Sequence, residues 1–214
     1  MTDDGLEALL SRRLDPLEAA SAGAFSAPGR SDYDLNPHVR PGGPRTLKPA
    51  AVLAAIVRRP QGWTVLLTRR TAEMPTHAGQ VAFPGGRVQA EDRDPVATAL
   101  REAQEETGVD PRFVTPIGTF DAYETVTGFR VVPIVAVVEP GFTLNPDPRE
   151  VAQVFEAPWD FLMNPANHER HEREWQGTTR AYYAMPYQGH YIWGATAGMI
   201  KALYDRLYGD RLNG

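Results

Sequence analysis

Three glutamates fall within one turn of a predicted helix, and their spacing carries the clearest chemical signal in the chain. Glu102, Glu105 and Glu106 follow the pattern i, i+3, i+4, which places them on one helix face. Like charges at this spacing repel one another, and the C-terminal end of a helix disfavours anions. A bound cation would offset both penalties. Because oxygen ligands without nearby Cys or His suit hard cations, the pattern favours Mg²⁺ or Mn²⁺.

The alternative is an acidic helix face that simply meets solvent. Two neighbouring features favour a ligand site instead. Gly85 and Gly86 follow Pro84 and predict a turn before the helix, where the backbone can approach a ligand closely. Gly108 then ends the helix, so the segment has the form of a loop, a helix and a loop.

The helix that positions the glutamates is predicted over residues 94–107. Asp94 is suited to the N-cap, Pro95 to the first turn and Gly108 to the stop. The inward stripe is predicted to contain Ala97, Leu100 and Gln104.

Mixed strands and helices are predicted for the rest of the core. A short helix is expected over residues 157–162, and apolar residues at helical spacing predict another over 196–208. This order is typical of an α/β or α+β single domain. Strands are predicted at residues 51–57, 63–69, 114–120, 131–138, 180–185 and 190–193, the first two forming a hairpin.

Two regions are expected along the chain. Residues 1–48 contain one or two short helices, followed by an arm rich in Gly, Pro and Ser that lies against a domain. Residues 49–214 form the domain itself. The chain has 214 residues, 42% of them hydrophobic, which is enough for one packed core.

Charge and composition exclude several classes of protein. A net charge of −5 argues against sequence-independent binding to nucleic acid. The absence of Cys excludes disulfides and thiolate metal sites. No apolar run is long enough to span a membrane, and the acidic N-terminus is unlike a secretory signal, so we expect a cytoplasmic protein.

Residues 84–109, PGGRVQAEDRDPVATALREAQEETGV, resemble the Nudix box, G-x5-E-x7-R-E-U-x-E-E-x-G-U, with U a bulky apolar residue. The resemblance implies an α/β/α sandwich with a mixed β-sheet, and attack of water on a pyrophosphate. It also implies that Glu102 and Glu106 bind the principal metal, and that Glu105 binds another or orients water. The matching positions are Gly86, Arg101, Glu102, Glu105, Glu106, Gly108 and Val109.

Three positions depart from this pattern. Asp92 replaces the first Glu, eight residues rather than seven separate it from Arg101, and Ala103 is smaller than usual. In the family the arginine orients the glutamates through an acidic partner. The resemblance implies Asp92 for that partner, with Glu91 as the competitor.

Residues 66–86, LLTRRTAEMPTHAGQVAFPGG, are similar to the signature of the coenzyme A pyrophosphatase branch, LLT-x-R-[ST]-x3-R-x3-G-x3-FPGG. This resemblance implies cleavage of coenzyme A into 4′-phosphopantetheine and adenosine 3′,5′-bisphosphate. Pro75 stands where the signature has its second arginine, so Arg69 or His77 is expected to take over its contact. The implied substrate-binding residues are Arg70, Gly85, Gly86, Arg69 and His77.

Other residues admit two interpretations each. Glu150 is either the general base or an extra metal ligand, as an acid from a comparable loop is in several Nudix enzymes, or it is a helix-start cap. His168 and His171 form an H-x2-H pair, but the charges around them indicate a solvated strand or loop rather than a zinc site. Trp159, Trp175 and Trp193 belong either to the core or to a base-stacking surface.

The expected partner is a small phosphorylated molecule, and the sequence does not define an oligomeric state. Two other functions are compatible with the same residues. The first is hydrolysis of another nucleoside diphosphate derivative, such as an ADP-ribose-like compound or a nucleotide sugar. The second is ligand binding without turnover, although a pure binding module would not need the full glutamate set.

Overall fold

The computed structural model describes residues 3–26, 29–43, 45–73, 78–175 and 177–209. Pro75 and His77 lie outside these ranges. The helices are α1 (Asp3–Arg13), α2 (Pro95–Thr107), α3 (Trp159–Leu162) and α4 (Ala195–Tyr208). The strands are β1 (Arg30–Ser31), β2 (Lys48–Val57), β3 (Thr64–Arg70), β4 (Val81–Ala82), β5 (Gly85–Arg87), β6 (Val114–Thr119), β7 (Tyr123–Glu124), β8 (Phe129–Val138), β9 (Val151–Pro158), β10 (Glu169–Trp175), β11 (Thr178–Tyr187) and β12 (His190–Trp193).

A mixed sheet of nine strands forms the centre of the fold. β2 and β8 run parallel through its middle and pair along their whole length, from Lys48–Phe129 to Val57–Val138. The predicted hairpin is confirmed, because β3 returns antiparallel to β2 with Ile56 opposite Val65. β9 extends the sheet beyond β3, and β6 and β7 pair with β8 on the other side.

Helices cover both faces of this sheet, which confirms the predicted α/β/α layers. Alternate residues of β2 point to opposite faces, as strand geometry requires. Leu53 and Val57 pack in the cluster that contains Ala99 and Ala103 of α2. Ala54 and Ile56 pack in the other cluster. That second cluster also contains Leu6 and Leu10 of α1, and Ile200, Leu203 and Leu207 of α4.

The ends of α2 lie where the sequence predicts. The Asp94 side chain accepts a hydrogen bond from the Ala97 N–H at 2.7 Å, and Gly108 has the left-handed φ of 76° that ends the helix. The predicted inward stripe is right only in part, because Leu100 is half-buried and packs against the core whereas Gln104 is exposed. The residues that face the sheet are Thr98, Ala99, Ala103, Glu106 and Thr107.

A separate three-stranded antiparallel sheet, β10–β11–β12, lies outside the central sheet. Strand β12 has the predicted bounds, β11 extends beyond the predicted residues 180–185 at both ends, and β10 corresponds to the solvated segment around His171. Strand β9 is missed by the sequence analysis because its burial lacks a regular period: only Val151 and Ala157 are buried. Its Glu156 accepts a hydrogen bond from Arg59, which lies in the turn between β2 and β3.

The N-terminal region packs against the domain. Leu6 and Leu10 of α1 have no exposed surface, and strand β1 pairs with β7 in parallel. Beyond β1, the Asn36 side chain donates to the Ala181 carbonyl at 2.8 Å and accepts from the Ala181 N–H at 2.7 Å. The arm therefore contacts both sheets. The domain boundary at residue 48 remains a prediction.

Among the residues that the structure describes, no helix combines the length and the apolar character needed to cross a membrane.

Candidate active site

The glutamate face of α2 lies directly over β5. A Cβ atom on Gly86 would stand 2.4 Å from the carboxyl carbon of Glu102, so a side chain there would push that carboxylate away from the backbone. One residue earlier, the Gly85 N–H donates to the Glu106 carboxylate at 3.1 Å. The two glycines thus bring the backbone against two of the three predicted metal ligands.

Glu106 is the most buried carboxylate of the helix, with 4% of its surface exposed. Burial is the main cause that raises its pKa to about 7, and the nearby charges of Glu102 and Glu150 contribute to the same rise. The Gly85 N–H and the Arg70 guanidinium, whose Nη1 lies 3.3 Å from Glu106 Oε1, partly oppose this. Ionised Glu106 is therefore costly unless additional positive charge is supplied.

Arg101 holds the other acids of the helix in place. Its guanidinium donates two hydrogen bonds to Asp92, at 3.0 and 2.9 Å. It also donates to Glu102 at 2.8 Å and to Glu105 at 3.2 Å. A further bond goes from Nη2 to the Arg87 carbonyl at 3.1 Å. This network fixes Glu102, whose own pKa is raised by burial.

Asp92 is confirmed as the acidic partner of Arg101, and Glu91 is exposed. The shorter side chain and the additional intervening residue do not prevent a bidentate pair. Asp92 also accepts from the Gln89 N–H and the Thr98 hydroxyl, each at 2.9 Å. Its hydrogen bonds to Arg101 hold the pKa of Asp92 well below its usual range. The pair is thus ionised throughout the neutral range.

Arg70 joins Glu150 to the same cluster. Its side chain, at the end of β3, lies 3.3 Å from Glu106 and 3.3 Å from Glu150. The backbone supports this approach, because the Thr71 N–H donates to the Glu150 carbonyl at 2.9 Å. The turn before β9 is closed by Asp147, whose carboxylate accepts from the Arg149 N–H. Asp147 thus takes the turn-closing role, while the Glu150 carboxylate contacts Arg70.

Arg69 is not brought to the cluster. Among the described residues, the carboxylates of Glu106 and Glu150 contact Arg70, and Arg69 forms no ion pair with either. It is exposed, and its charge lowers the pKa of His190 after the main effect of burial. The other candidate, His77, lies outside the described residues.

The histidine pair has protein partners of its own. His168 donates through Nε2 to the Leu162 carbonyl at 2.7 Å, and His171 contacts Tyr191 and Glu169. In the ranges that the structure describes, no three His, Asp or Glu side chains are already arranged around a point where a metal could sit. The carboxylates of α2 contact arginines instead, so a metal has to replace some of those contacts.

A cleft of about 890 Å³ opens beside the glutamates, with Arg70, Gly85 and Gly86 in its wall. The arm and the three-stranded sheet supply much of the remaining wall, which the sequence analysis missed. Although the chain carries a net charge of −5, basic residues outnumber acidic ones here. The wall contains Arg30, Lys48, Arg70, Arg87, Arg173, Arg180 and Lys201, against Asp32, Asp34 and Asp205.

The basic residues of the arm serve to hold it down. Arg40 and Arg45 contact the buried carboxylate of Glu124 at 2.7 and 2.8 Å. Both guanidinium groups also lie over the Tyr33 ring, at 5.7 and 5.6 Å. Asp32, on the same segment, accepts from the Val126 N–H at 2.7 Å. The arm therefore lies against the domain and also forms part of the cleft wall.

Comparison with known proteins identifies the family. Residues 47–183 match the model of the NUDIX domain. The chain is 41% identical over 154 residues to a protein named Uncharacterized Nudix hydrolase NudL of Cronobacter sakazakii, covering 72% of this chain and 80% of that one. The corresponding protein of Escherichia coli K12 is 39% identical over the same shares. The chain belongs to the Nudix family.

Within that family the chain is a pyrophosphohydrolase, and Nudix enzymes generally use divalent metal ions. Among solved structures, a Nudix hydrolase from M. smegmatis, RenU, is 24% identical and has a TM-score of 0.46. That likeness covers 53% of this chain and 71% of the other.

We expect Asp92→Asn to lower both stability and kcat. The substitution removes the charged partner of Arg101, and a hydrogen bond to a charged group contributes about 1.5–3 kcal/mol. With Arg101 less firmly held, Glu102 loses its fixed position, so kcat should fall at least about tenfold, which corresponds to 1.4 kcal/mol. Urea unfolding and steady-state kinetics measure the two effects. Glu91→Gln is the matched control and should change neither; equal effects of the two variants would contradict the assignment.

Proposed function

We propose that the enzyme hydrolyses the pyrophosphate bond of coenzyme A or its derivatives, giving 4′-phosphopantetheine and adenosine 3′,5′-bisphosphate. The observation that carries this proposal is the meeting of two motifs at one carboxylate. Arg70 and Gly85 belong to the segment that resembles the coenzyme A pyrophosphatase signature, and both contact Glu106 of the Nudix box. The substrate signature and the metal signature therefore form one site.

The glutamates fit a divalent cation, and we assign Mg²⁺ or Mn²⁺ to Glu102 and Glu106. Both carboxylates are buried enough to raise their pKa, so a cation at this position offsets the cost of their charge. Their ligand atoms are oxygens, which these metals prefer. When bound, the metal neutralises phosphate charge and activates water for attack. Glu105, which is exposed, binds a further ion or orients water.

Three further side chains have assigned roles. Arg70 exchanges its carboxylate contacts for the phosphate oxygens of the substrate, since a guanidinium pairs well with phosphate. Glu150, released from Arg70 in the same exchange, accepts the proton of the attacking water. Arg101 does not touch the substrate; it positions Glu102 and Glu105.

The cleft supports a substrate of this kind. Its volume lies within the range of small-molecule sites, and its basic wall attracts an anion towards an otherwise acidic protein. The substrate partner is thus a small phosphorylated molecule rather than nucleic acid. The proposed substrate is consistent with action in the cytoplasm.

One observation favours a second candidate, a different nucleoside diphosphate derivative such as ADP-ribose. Pro75 stands in place of the second arginine of the signature and offers neither a charge nor an N–H donor. Arg69 is not among the residues that line the cleft, so it does not replace that arginine there. The remaining cations of the cleft wall have to supply the missing contact if coenzyme A is the substrate.

We expect Glu106→Gln to remove most turnover while the fold is retained. The variant loses a charged metal ligand, and it also loses a buried carboxylate whose ionised form is costly. The melting temperature measured in EDTA at pH 8 should therefore equal or exceed that of the wild type, while the stabilisation on adding Mg²⁺ should shrink. Glu139→Gln, at an exposed surface position, is the control. Wild-type kcat at saturating metal would refute the role of Glu106.

Glu150→Gln should separate proton transfer from metal binding. We expect kcat to fall by roughly 10²–10⁴, the usual contribution of a positioned general base, while the Mg²⁺ concentration at half-maximal activity changes little. The measurement is a metal titration of steady-state activity for both glutamine variants. A loss below about tenfold would leave Glu150 with no more than a structural contact to Arg70.

Substrate choice tests the proposal itself. We expect a higher kcat/KM for coenzyme A than for ADP-ribose or any nucleoside triphosphate, measured by phosphate release or product chromatography with Mg²⁺ and Mn²⁺. Pro75→Arg should raise kcat/KM for coenzyme A by roughly tenfold or more, because a charge-assisted hydrogen bond contributes about 1.5–3 kcal/mol. Hydrolysis of ADP-ribose with coenzyme A left intact would support the second candidate and exclude the first.

A further inference from the structure

Two arginines of the cleft wall face each other without an acidic partner. Arg173 of β10 and Arg180 of β11 are directly opposite in the strand register. Like charges in this arrangement destabilise a sheet. In the part of the chain that the structure describes, no carboxylate forms an ion pair with either residue, and the buried Nε of Arg180 has no hydrogen-bond partner. An anion between the two guanidinium groups would offset their repulsion and accept hydrogen bonds from them.

Aromatic rings fix the positions of these two side chains. The Arg173 guanidinium lies 5.3 Å from the Trp175 ring and 5.5 Å from the Trp193 ring. Arg180 lies 5.9 Å from the ring of Trp175. Contact with an aromatic face holds a guanidinium in place while its N–H groups stay available to an anion. Trp175 is nevertheless 41% exposed, which is unusual for a residue that serves only the core.

The same strand offers a contrast. Arg170 lies three residues before Arg173 and therefore on the other face of β10. It is exposed, its Nη2 lies 3.5 Å from Glu172, and it is not part of the cleft wall. Arg173 is exposed as well, yet among the described residues only Arg170 of these two forms an ion pair with an acid.

We propose that Arg173 and Arg180 form a second phosphate site, which binds a phosphate monoester on the same molecule whose pyrophosphate is cleaved at the glutamates. The inference rests on the proposed function, because it concerns the substrate of that site. The pair and Arg70 line one cleft, so a single ligand can reach both. In coenzyme A the monoester is the 3′-phosphate, and Trp193 provides an adjacent face for the nucleobase. The site thereby distinguishes a phosphorylated nucleoside from an unphosphorylated one.

The kinetic test compares coenzyme A with dephospho-coenzyme A, which has the same pyrophosphate but lacks the monoester. We expect the wild type to prefer coenzyme A in kcat/KM by at least about tenfold. Arg173→Gln and Arg180→Gln should each reduce that preference by about tenfold, a loss of 1.4 kcal/mol, mainly through KM. Arg170→Gln is the matched control and should retain the wild-type preference. An unchanged ratio in both variants would overturn the proposal.

A binding test separates this inference from the proposed function. Calorimetry should show that adenosine 3′,5′-bisphosphate binds the wild type at least about tenfold more tightly than AMP, and that both glutamine variants lose this difference while melting like the wild type. If the wild type hydrolyses neither coenzyme A nor dephospho-coenzyme A but binds adenosine 3′,5′-bisphosphate more tightly than AMP, the proposed function fails and the phosphate site stands. If the two nucleotides bind equally to the wild type, the phosphate site is refuted whatever the enzyme hydrolyses.

Discussion

The burial of acidic side chains against the Gly85–Gly86 backbone is the constraint on which the site depends. Glu102 and Glu106 are buried against a strand on which a Cβ at Gly86 would displace the Glu102 carboxylate, and burial limits the solvation of their charge. Two arginines compensate in different ways. Arg101 is tied to Asp92 and keeps the acids in position, whereas Arg70 belongs to the cleft wall and can exchange its partners. The first provides rigidity, and the second provides a contact that a substrate can take over.

The cleft shows how an acidic protein can select an anionic substrate. Basic side chains from β2, β3, β11 and α4 converge on the cleft, although the chain as a whole has a net charge of −5. A field of this kind acts locally, because charges separated by more than about 10 Å are largely screened at ordinary ionic strength. The net charge of the chain therefore says little about the potential that a ligand meets inside the cleft.

Local signals were sufficient to predict α2 and the first hairpin, because Asp94, Pro95 and Gly108 specify a helix through their own backbone preferences. The Arg101–Asp92 pair was implied by the resemblance to the Nudix box. The buried face of α2 was predicted only in part, since it depends on how closely Ala99 and Ala103 approach β2, which is a tertiary property. The environment of Arg173 and Arg180 also escaped the sequence analysis. The two residues are opposite each other because of the register between β10 and β11. The sequence does not indicate that register, because polar and apolar residues do not alternate in β10. The metal and base assignments remain predictions.

The two hydrogen bonds between Asn36 and Ala181 tie the arm to the small sheet, while β1 ties it to the central sheet. The cleft wall is therefore assembled from segments far apart in the chain, and most of them lie outside the Nudix box. Chemistry and selectivity are consequently separable in this architecture. Insertions or exchanges in the arm can redesign the accepted ligand while the hydrolytic residues stay untouched, which makes residues 29–43 the natural place to engineer a new specificity.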